Sequence, residues 1–130
     1  MHLNRTAAMV GVYHELAVRK TLAGHADEAI VLELRANQLN PLSPWRFNRY
    51  RNMGCASLML GKDQDAITFL ERSLAINPEG NNYRRGTYRW LAAAYARTGR
   101  IPEAKRALAE ADRRWPCDPV RGHGLALQEW

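Results

Sequence analysis

The sequence predicts an all-α fold, an α-solenoid of three helix-turn-helix units, with six helices and a short C-terminal tail. Two observations predict it: a glycine ends a helix pattern three times, and a proline closes every second helix at a nearly constant interval. No stretch of the 130 residues shows the apolar–polar alternation that is typical of a half-buried strand. Self-similarity with a period of about 20 to 50 residues is the signature of stacked structural units.

A glycine turn joins the two helices of each predicted unit. Gly24, Gly61 and Gly99 each follow an apolar helix pattern, and glycine adopts the left-handed conformation at a helix end without steric cost. Acidic residues follow within a few positions, where a helix N-terminus favours them: Asp27, Glu28, Asp63, Asp65 and Glu103. Each unit is therefore a helix, a tight turn and an antiparallel helix.

Prolines close the second helix of each unit. Pro41, Pro78 and Pro116 do so, because proline cannot continue a helix and disfavours helix at the preceding residue. The interval is 37 residues from Pro41 to Pro78 and 38 residues from Pro78 to Pro116. The predicted helices lie near residues 5–22, 26–39, 44–60, 63–76, 83–98 and 102–115.

The unit resembles the tetratricopeptide repeat, a helix-turn-helix of about 34 residues. The third unit carries most of the repeat pattern in Tyr88, Leu91, Ala92, Tyr95, Ala104, Leu108, Ala111 and Pro116. The resemblance divides a single domain of residues 1–130 into repeats at about 10–43, 47–80 and 85–118, with a tail at 119–130. Extra residues between the repeats predict that each first helix is about one turn longer.

Small residues at the helix pairs support this division. Ala17, Gly54 and Ala92 lie opposite Ala29, Ala66 and Ala104, and small side chains let paired helices approach to about 8–10 Å. The tyrosines Tyr50, Tyr88 and Tyr95 are interpreted as packing residues, and Trp90 as a contact between repeats. The first repeat departs from the pattern at Lys20 and Glu33; the departure at Glu33 either weakens its second helix or marks a face that meets water.

Two stretches carry a more specific resemblance. Residues 43–78 and 83–124 resemble the C-terminal repeat regions of bacterial proteins that begin with a class III adenylate cyclase-like domain or a winged-helix DNA-binding domain. The resemblance implies a regulatory, signalling role beside another domain, either as a fragment or as a stand-alone relative. No cyclase catalytic residue and no DNA-binding module is recognisable in the sequence.

Composition excludes several classes of protein. No apolar run approaches the roughly 18 residues of a membrane span, and no signal peptide is recognisable, so a cytoplasmic location is expected. Cys55 and Cys117 are interpreted as free thiols. Neither the four histidines nor the cysteines have metal-ligand spacing, so we expect no metal and no cofactor. No phosphate-binding glycine loop or nucleophile motif is present, and the chain is predicted not to be an enzyme.

Arginine dominates the charge. The net charge is +6 at pH 7, from 16 Arg and 3 Lys against 13 acidic residues. The resemblance implies that the first helix of each repeat lines a concave groove, and the residues placed there are His14, Asn48, Arg51, Asn52, Arg89 and Arg97. The guanidinium fork suits carboxylates and phosphates, so the predicted partner is an acidic or phosphorylated segment of a protein or neighbouring domain. The alternative is a solvated surface whose arginines reflect a GC-rich genome, because such genomes favour arginine codons.

Two further functions stay open. The tail is apolar and lacks a polar capping helix, so Leu125, Leu127 and Trp130 are candidates for self-association into a homo-oligomer. Nucleic acid is a less favoured partner: basic runs with interleaved aromatics are present, but the aromatics have core spacing and the acidic residues dilute the field. A chaperone-tail clamp is not expected, because only Asn52 matches its five positions.

Overall fold

A computed structural model describes residues 2–78 and 84–114, which contain six α-helices and no strand. The helices are α1 (His2–Leu22), α2 (Ala26–Leu39), α3 (Arg46–Met59), α4 (Asp63–Ile76), α5 (Arg84–Arg97) and α6 (Ile101–Arg114). The predicted fold class is confirmed, and most helix ends fall within one or two residues of their predicted positions. The predicted tail and Pro116 lie outside the described residues.

The three glycine turns have one geometry. Gly24, Gly61 and Gly99 have φ angles of 88°, 75° and 80°. The residue after each glycine donates its backbone N–H at 2.8 Å to the carbonyl five residues earlier. This Schellman bond satisfies a carbonyl that the helix end leaves free. Identical turns place the second helix of every unit in the same way against the first.

Helix contacts define an inner and an outer side of the solenoid. Each helix packs on its neighbours in the chain, and α1 also contacts α3, as α3 contacts α5. Within the described ranges, α2 and α4 make no such contact, nor do α4 and α6. Because the first helices lie close together and the second helices diverge, α1, α3 and α5 line the concave side.

The prediction of longer first helices is correct for α1 and wrong for α3. α1 has 21 residues, whereas α3 and α5 have 14 each, as do the second helices α2, α4 and α6. The extra residues before α3 lie in the loop at 40–45, and α5 begins at the edge of a described range. Pro44 explains the loop, because proline disfavours helix at the residue before it.

The core consists of small and aliphatic side chains between paired helices. Ala17, Ala29 and Ala66 are fully buried between the paired helices. Gly54 of α3 lies against α4, where a Cβ would be 2.5 Å from Cγ of Leu70. Tyr95 is buried and Tyr50 stacks on Phe69 at a ring distance of 6.4 Å, so both are packing residues as predicted.

Candidate functional site

The predicted site residues lie on the first helices, but they differ in how far they are available. His14 is on α1, Asn48, Arg51 and Asn52 are on α3, and Arg89 and Arg97 are on α5. His14 and Asn52 bond to the buried Glu33. Arg97 pairs with Asp63, whereas Arg89 is half-exposed. The placement does not test whether they bind a partner, so the partner-binding role stays a prediction.

Arg51 connects the concave sides of the second and third repeats. Its guanidinium carbon lies 5.8 Å from the centre of the Trp90 ring, a distance at which the ring attracts a cation. Trp90 is partly buried and packs against the core cluster that contains Leu91 and Tyr95. Trp90 is therefore a contact between repeats, as predicted, and it also holds the Arg51 side chain.

Arg89 and Arg97 lie two turns apart on α5, and their pairing differs. The Arg97 Nε lies 3.1 Å from Oδ1 of Asp63, and its Nη1 donates to the carbonyl of Leu58 at 3.4 Å. Arg97 therefore ties α5 to the turn between α3 and α4. The guanidinium of Arg89 lies 3.9 Å from Oδ1 of Asp112, which is longer than a hydrogen bond, and its side chain is 47% exposed.

Asn48 and His14 line a concave pocket near the start of α3. The pocket has a volume of about 240 Å³, and Trp45 and Ser43 contribute to its wall. Trp45 is mostly exposed, and Ser43 accepts the backbone N–H of Trp45 at 3.2 Å. An aromatic side chain at the edge of a pocket with amide and imidazole groups is a surface of the kind that protein interfaces use.

His14 and Asn52 belong to a buried polar network around Glu33. The Nδ1 of His14 lies 2.9 Å from Oε2 of Glu33, and the Nδ2 of Asn52 donates to the same oxygen at 2.9 Å. Glu33 is fully buried and Asn52 nearly so. The interpretation that Glu33 marks a face that meets water is therefore wrong. Three helices meet at this carboxylate, and two polar partners replace the water it loses.

Arg49 of α3 lies at the contact with α2, and no sequence pattern predicted it there. It is buried, its Nε donates to Oδ1 of Asn37 at 2.5 Å, and its Nη2 donates to the carbonyl of Asn40 at 3.1 Å. Burial raises the pKa of the Glu33 carboxyl above its usual 4.5, and hydrogen bonds from His14 and Asn52 oppose this rise. Burial also lowers the pKa of Arg49, and the charge of Glu33 opposes that effect.

The described residues contain no group of three or more His, Cys, Asp or Glu side chains that could hold a metal ion. No described helix is long and apolar enough to cross a membrane. Cys55 is a free thiol, as predicted, and burial raises its pKa. Cys117 and the predicted self-association residues Leu125, Leu127 and Trp130 lie outside the described residues.

Comparison with known proteins supports the fold. No family model and no curated protein matches the sequence. Two solved structures are similar: MamA AMB-1, with a TM-score of 0.68 and 25% identity over 81% of this chain, and MamA MSR-1, with 0.67 and 23% over 81%. Both are helical solenoids of the tetratricopeptide type, and this chain has the same fold. It spans 58% and 56% of those two chains.

Proposed function

We propose that the chain is a protein–protein interaction module whose concave face binds an acidic or phosphorylated segment of another protein or of a neighbouring domain. The supporting observation is the half-exposed guanidinium of Arg89, whose ion pair with Asp112 is too long for a hydrogen bond. An incoming carboxylate or phosphate offers Arg89 a shorter, bidentate partner.

The residues around Arg89 support the same partner. Arg51 lies on the adjacent first helix, and the ring of Trp90 holds it in place. A guanidinium fixed by packing loses less side-chain freedom when it binds, which favours affinity. Asn48 contributes an amide further along α3 for the backbone of an extended peptide, while Asn52 and Arg97 mainly hold the helices that carry the site.

The neighbouring-domain version of the proposal comes from the resemblance to adenylate cyclase-like and winged-helix proteins. The similarity to the MamA structures does not test that resemblance, so the identity of the partner stays a prediction. Self-association through Leu125, Leu127 and Trp130 is likewise a prediction for residues outside the described ranges.

Peptide binding tests the proposal directly. The probe is a fluorescent peptide of about nine glutamates, the length that an extended peptide needs to cross three stacked helices roughly 10 Å apart. A glutamine peptide of equal length is the neutral comparison. The Arg51→Gln/Arg89→Gln variant removes the two concave guanidiniums. The matched control, Arg35→Gln/Arg106→Gln, removes two exposed arginines from the second helices α2 and α6 and changes the net charge equally.

The expected result is a loss of at least about tenfold in affinity for the glutamate peptide in Arg51→Gln/Arg89→Gln, since charge-assisted hydrogen bonds are worth about 1.5–3 kcal/mol each. The control variant should stay within about threefold of the wild type, which reflects long-range charge alone. Equal losses in both variants, or no binding by the wild type, would contradict the proposal. Tighter binding of a single-stranded oligonucleotide, with a steep salt dependence, would favour the nucleic-acid alternative.

A further inference from the structure

One side of α1 is uncovered, although the equivalent side of the other first helices is buried. Equivalent residues of the first and second repeats are 37 residues apart, and those of the second and third repeats are 38 apart. Four equivalent positions can therefore be compared across α1, α3 and α5. In α3 all four are buried: Arg49, Asn52, Met53 and Ala56. In α5 three are buried and one is partly buried: Thr87, Leu91, Ala94 and Trp90. In α1 all four are exposed: Val12, Glu15, Leu16 and Arg19.

A second helix covers these positions wherever they are buried. α2 covers the side of α3, where Arg49 and Asn52 bond to Asn37 and Glu33. α4 covers the side of α5, where Leu70 packs in one cluster with Leu91. The uncovered side of α1 therefore has the backbone geometry that receives a helix in both other repeats.

The α1 strip is this uncovered side, and it consists of Arg5, Ala8, Met9, Val12, Glu15, Leu16 and Arg19. Its centre is apolar, with Val12 65% exposed and Leu16 43% exposed. Contiguous exposed apolar side chains of this kind mark contact sites more often than solvated surface. The apolar centre of the α1 strip therefore indicates that another surface covers it.

The exposed side of α6 does not offer a matching surface. Lys105, Leu108 and Asp112 of α6 occupy the positions at which α4 has Ile67, Leu70 and Leu74. Both charged side chains are exposed. Head-to-tail stacking of two copies would bury Lys105 against an apolar centre and would take the ion pair of Asp112 with Arg89 out of water, and burying charges is costly. α6 of a second copy is therefore a poor cover for the α1 strip.

The charges of the α1 strip match those of a second α1 instead. Glu15 lies near one end of the apolar centre and Arg5 near the other. Neither has an ion-pair partner within the described ranges. In an antiparallel α1 pair, Glu15 of each copy meets Arg5 of the other, and Ala8 meets Val12. The small side chains of Ala8 and Gly11 permit close helix approach.

We propose that two copies of the chain pair through the α1 strip, with α1 of one copy antiparallel to α1 of the other around a two-fold axis. The same strip serves both copies, so the assembly closes as a dimer and does not grow into a filament. The interface lies apart from Arg51 and Arg89, and the pair presents two concave faces. The proposal goes beyond peptide binding and does not depend on it.

Sedimentation equilibrium of the full chain tests the dimer, between about 1 and 100 μM, where interfaces of modest affinity dissociate. The disrupting variant is Val12→Glu/Leu16→Glu. The matched control is Val31→Glu/Leu34→Glu on α2, because Val31 and Leu34 are 67% and 45% exposed, slightly more than Val12 and Leu16. A third variant, Glu15→Arg, puts like charges together, and Arg5→Glu/Glu15→Arg restores the opposite pairing. Far-UV circular dichroism checks that every variant remains helical.

The wild type and the α2 control should sediment at twice 14.8 kDa, and Val12→Glu/Leu16→Glu should sediment at 14.8 kDa. Glu15→Arg should weaken the dimer about tenfold, and the swapped pair should recover most of that loss. A monomeric wild type, or a dimer that Val12→Glu/Leu16→Glu leaves intact, overturns the proposal. Equal dissociation by the α2 control overturns it too. The monomeric variant should still bind the glutamate peptide, which separates loss of the dimer from loss of the concave site.

Discussion

The two junctions between consecutive repeats share one helix geometry and have opposite chemistry. The first junction, between α2 and α3, is polar: Glu33, Asn52, Arg49 and Asn37 bond across it. The second, between α4 and α5, is apolar, and its central residue Leu70 occupies the position of Glu33 one repeat later. The glycine turns and helix lengths therefore fix where the helices lie, while the buried side chains between them are free to vary if their polar groups are satisfied.

The difference lies in what each junction requires. An apolar junction loses stability in proportion to the volume it fails to fill. A polar junction depends on every donor and acceptor having a partner, because a buried polar group without one costs about 1–3 kcal/mol. We therefore expect the first junction to respond to protonation and the second to respond to side-chain volume.

Leu70→Ala should have the largest effect. Leu70 is fully buried and its Cγ lies beside Gly54, so truncation opens a cavity against a residue that has no side chain to fill it. We expect the free energy of unfolding to fall by about 3–4 kcal/mol, measured by urea denaturation. Leu108→Ala, at the equivalent and half-exposed position of α6, should cost less than about 1.5 kcal/mol. Equal losses at the two positions would show that burial between repeats does not decide the cost.

Gly54→Ala should have the next largest effect. A Cβ at Gly54 meets Cγ and Cδ2 of Leu70 at 2.5 and 2.6 Å, so α3 and α4 must move apart or Leu70 must leave its rotamer. Overpacking of this kind costs about 1–3 kcal/mol. Gly86→Ala is the control, since its Cβ meets nothing within 4 Å and alanine is the better helix former by about 0.5–1 kcal/mol. The melting temperature should fall for Gly54→Ala and rise for Gly86→Ala.

The smallest expected effect is the pH dependence of the polar junction. Because burial raises the pKa of Glu33 above 4.5, the folded chain binds this proton more tightly than the unfolded chain. The contribution of Glu33 to stability is therefore fully present below pH 4.5 and falls as the pH rises through the raised pKa, by about 1.4 kcal/mol for each unit of the rise.

The measurement is the difference in unfolding free energy between the wild type and Glu33→Gln from pH 4 to 8, a range that begins below the ordinary carboxyl pKa. As the pH rises, the unfolding free energy of the wild type should fall relative to that of Glu33→Gln. A difference that does not change with pH would show that the His14 and Asn52 bonds cancel the effect of burial.

The turns and helix ends were predictable because their causes are local. Gly61 and Pro78 act on their own backbone and on one or two neighbours, so the sequence alone places the ends of α3 and α4 closely. The placement of Arg51 and Arg89 on neighbouring first helices was also predictable, because it follows from the register of the repeat. Asn52 follows Arg51 by one residue. The rotation of the helix over that residue points its side chain into the buried junction.

The network around Glu33 was not predictable in the same way. His14 and Asn52 lie 19 residues before and after Glu33, on two other helices, and a carboxylate at a core position does not reveal which helices meet there. A charged residue in an otherwise apolar register was the available signal, and it was interpreted either as a weaker second helix or as a face that meets water. The exposure of Val12 and Leu16 likewise depends on which helix covers α1, and no local pattern in the sequence records that.

The helix contacts have a consequence for how the chain acquires its structure during synthesis. Within the described residues, every helix contact joins partners that are neighbours or next neighbours along the chain. Such local contacts close small loops and favour fast folding. No contact of α1 or α2 within the described residues requires α6, so the first hairpin can pack before the last helix has been translated.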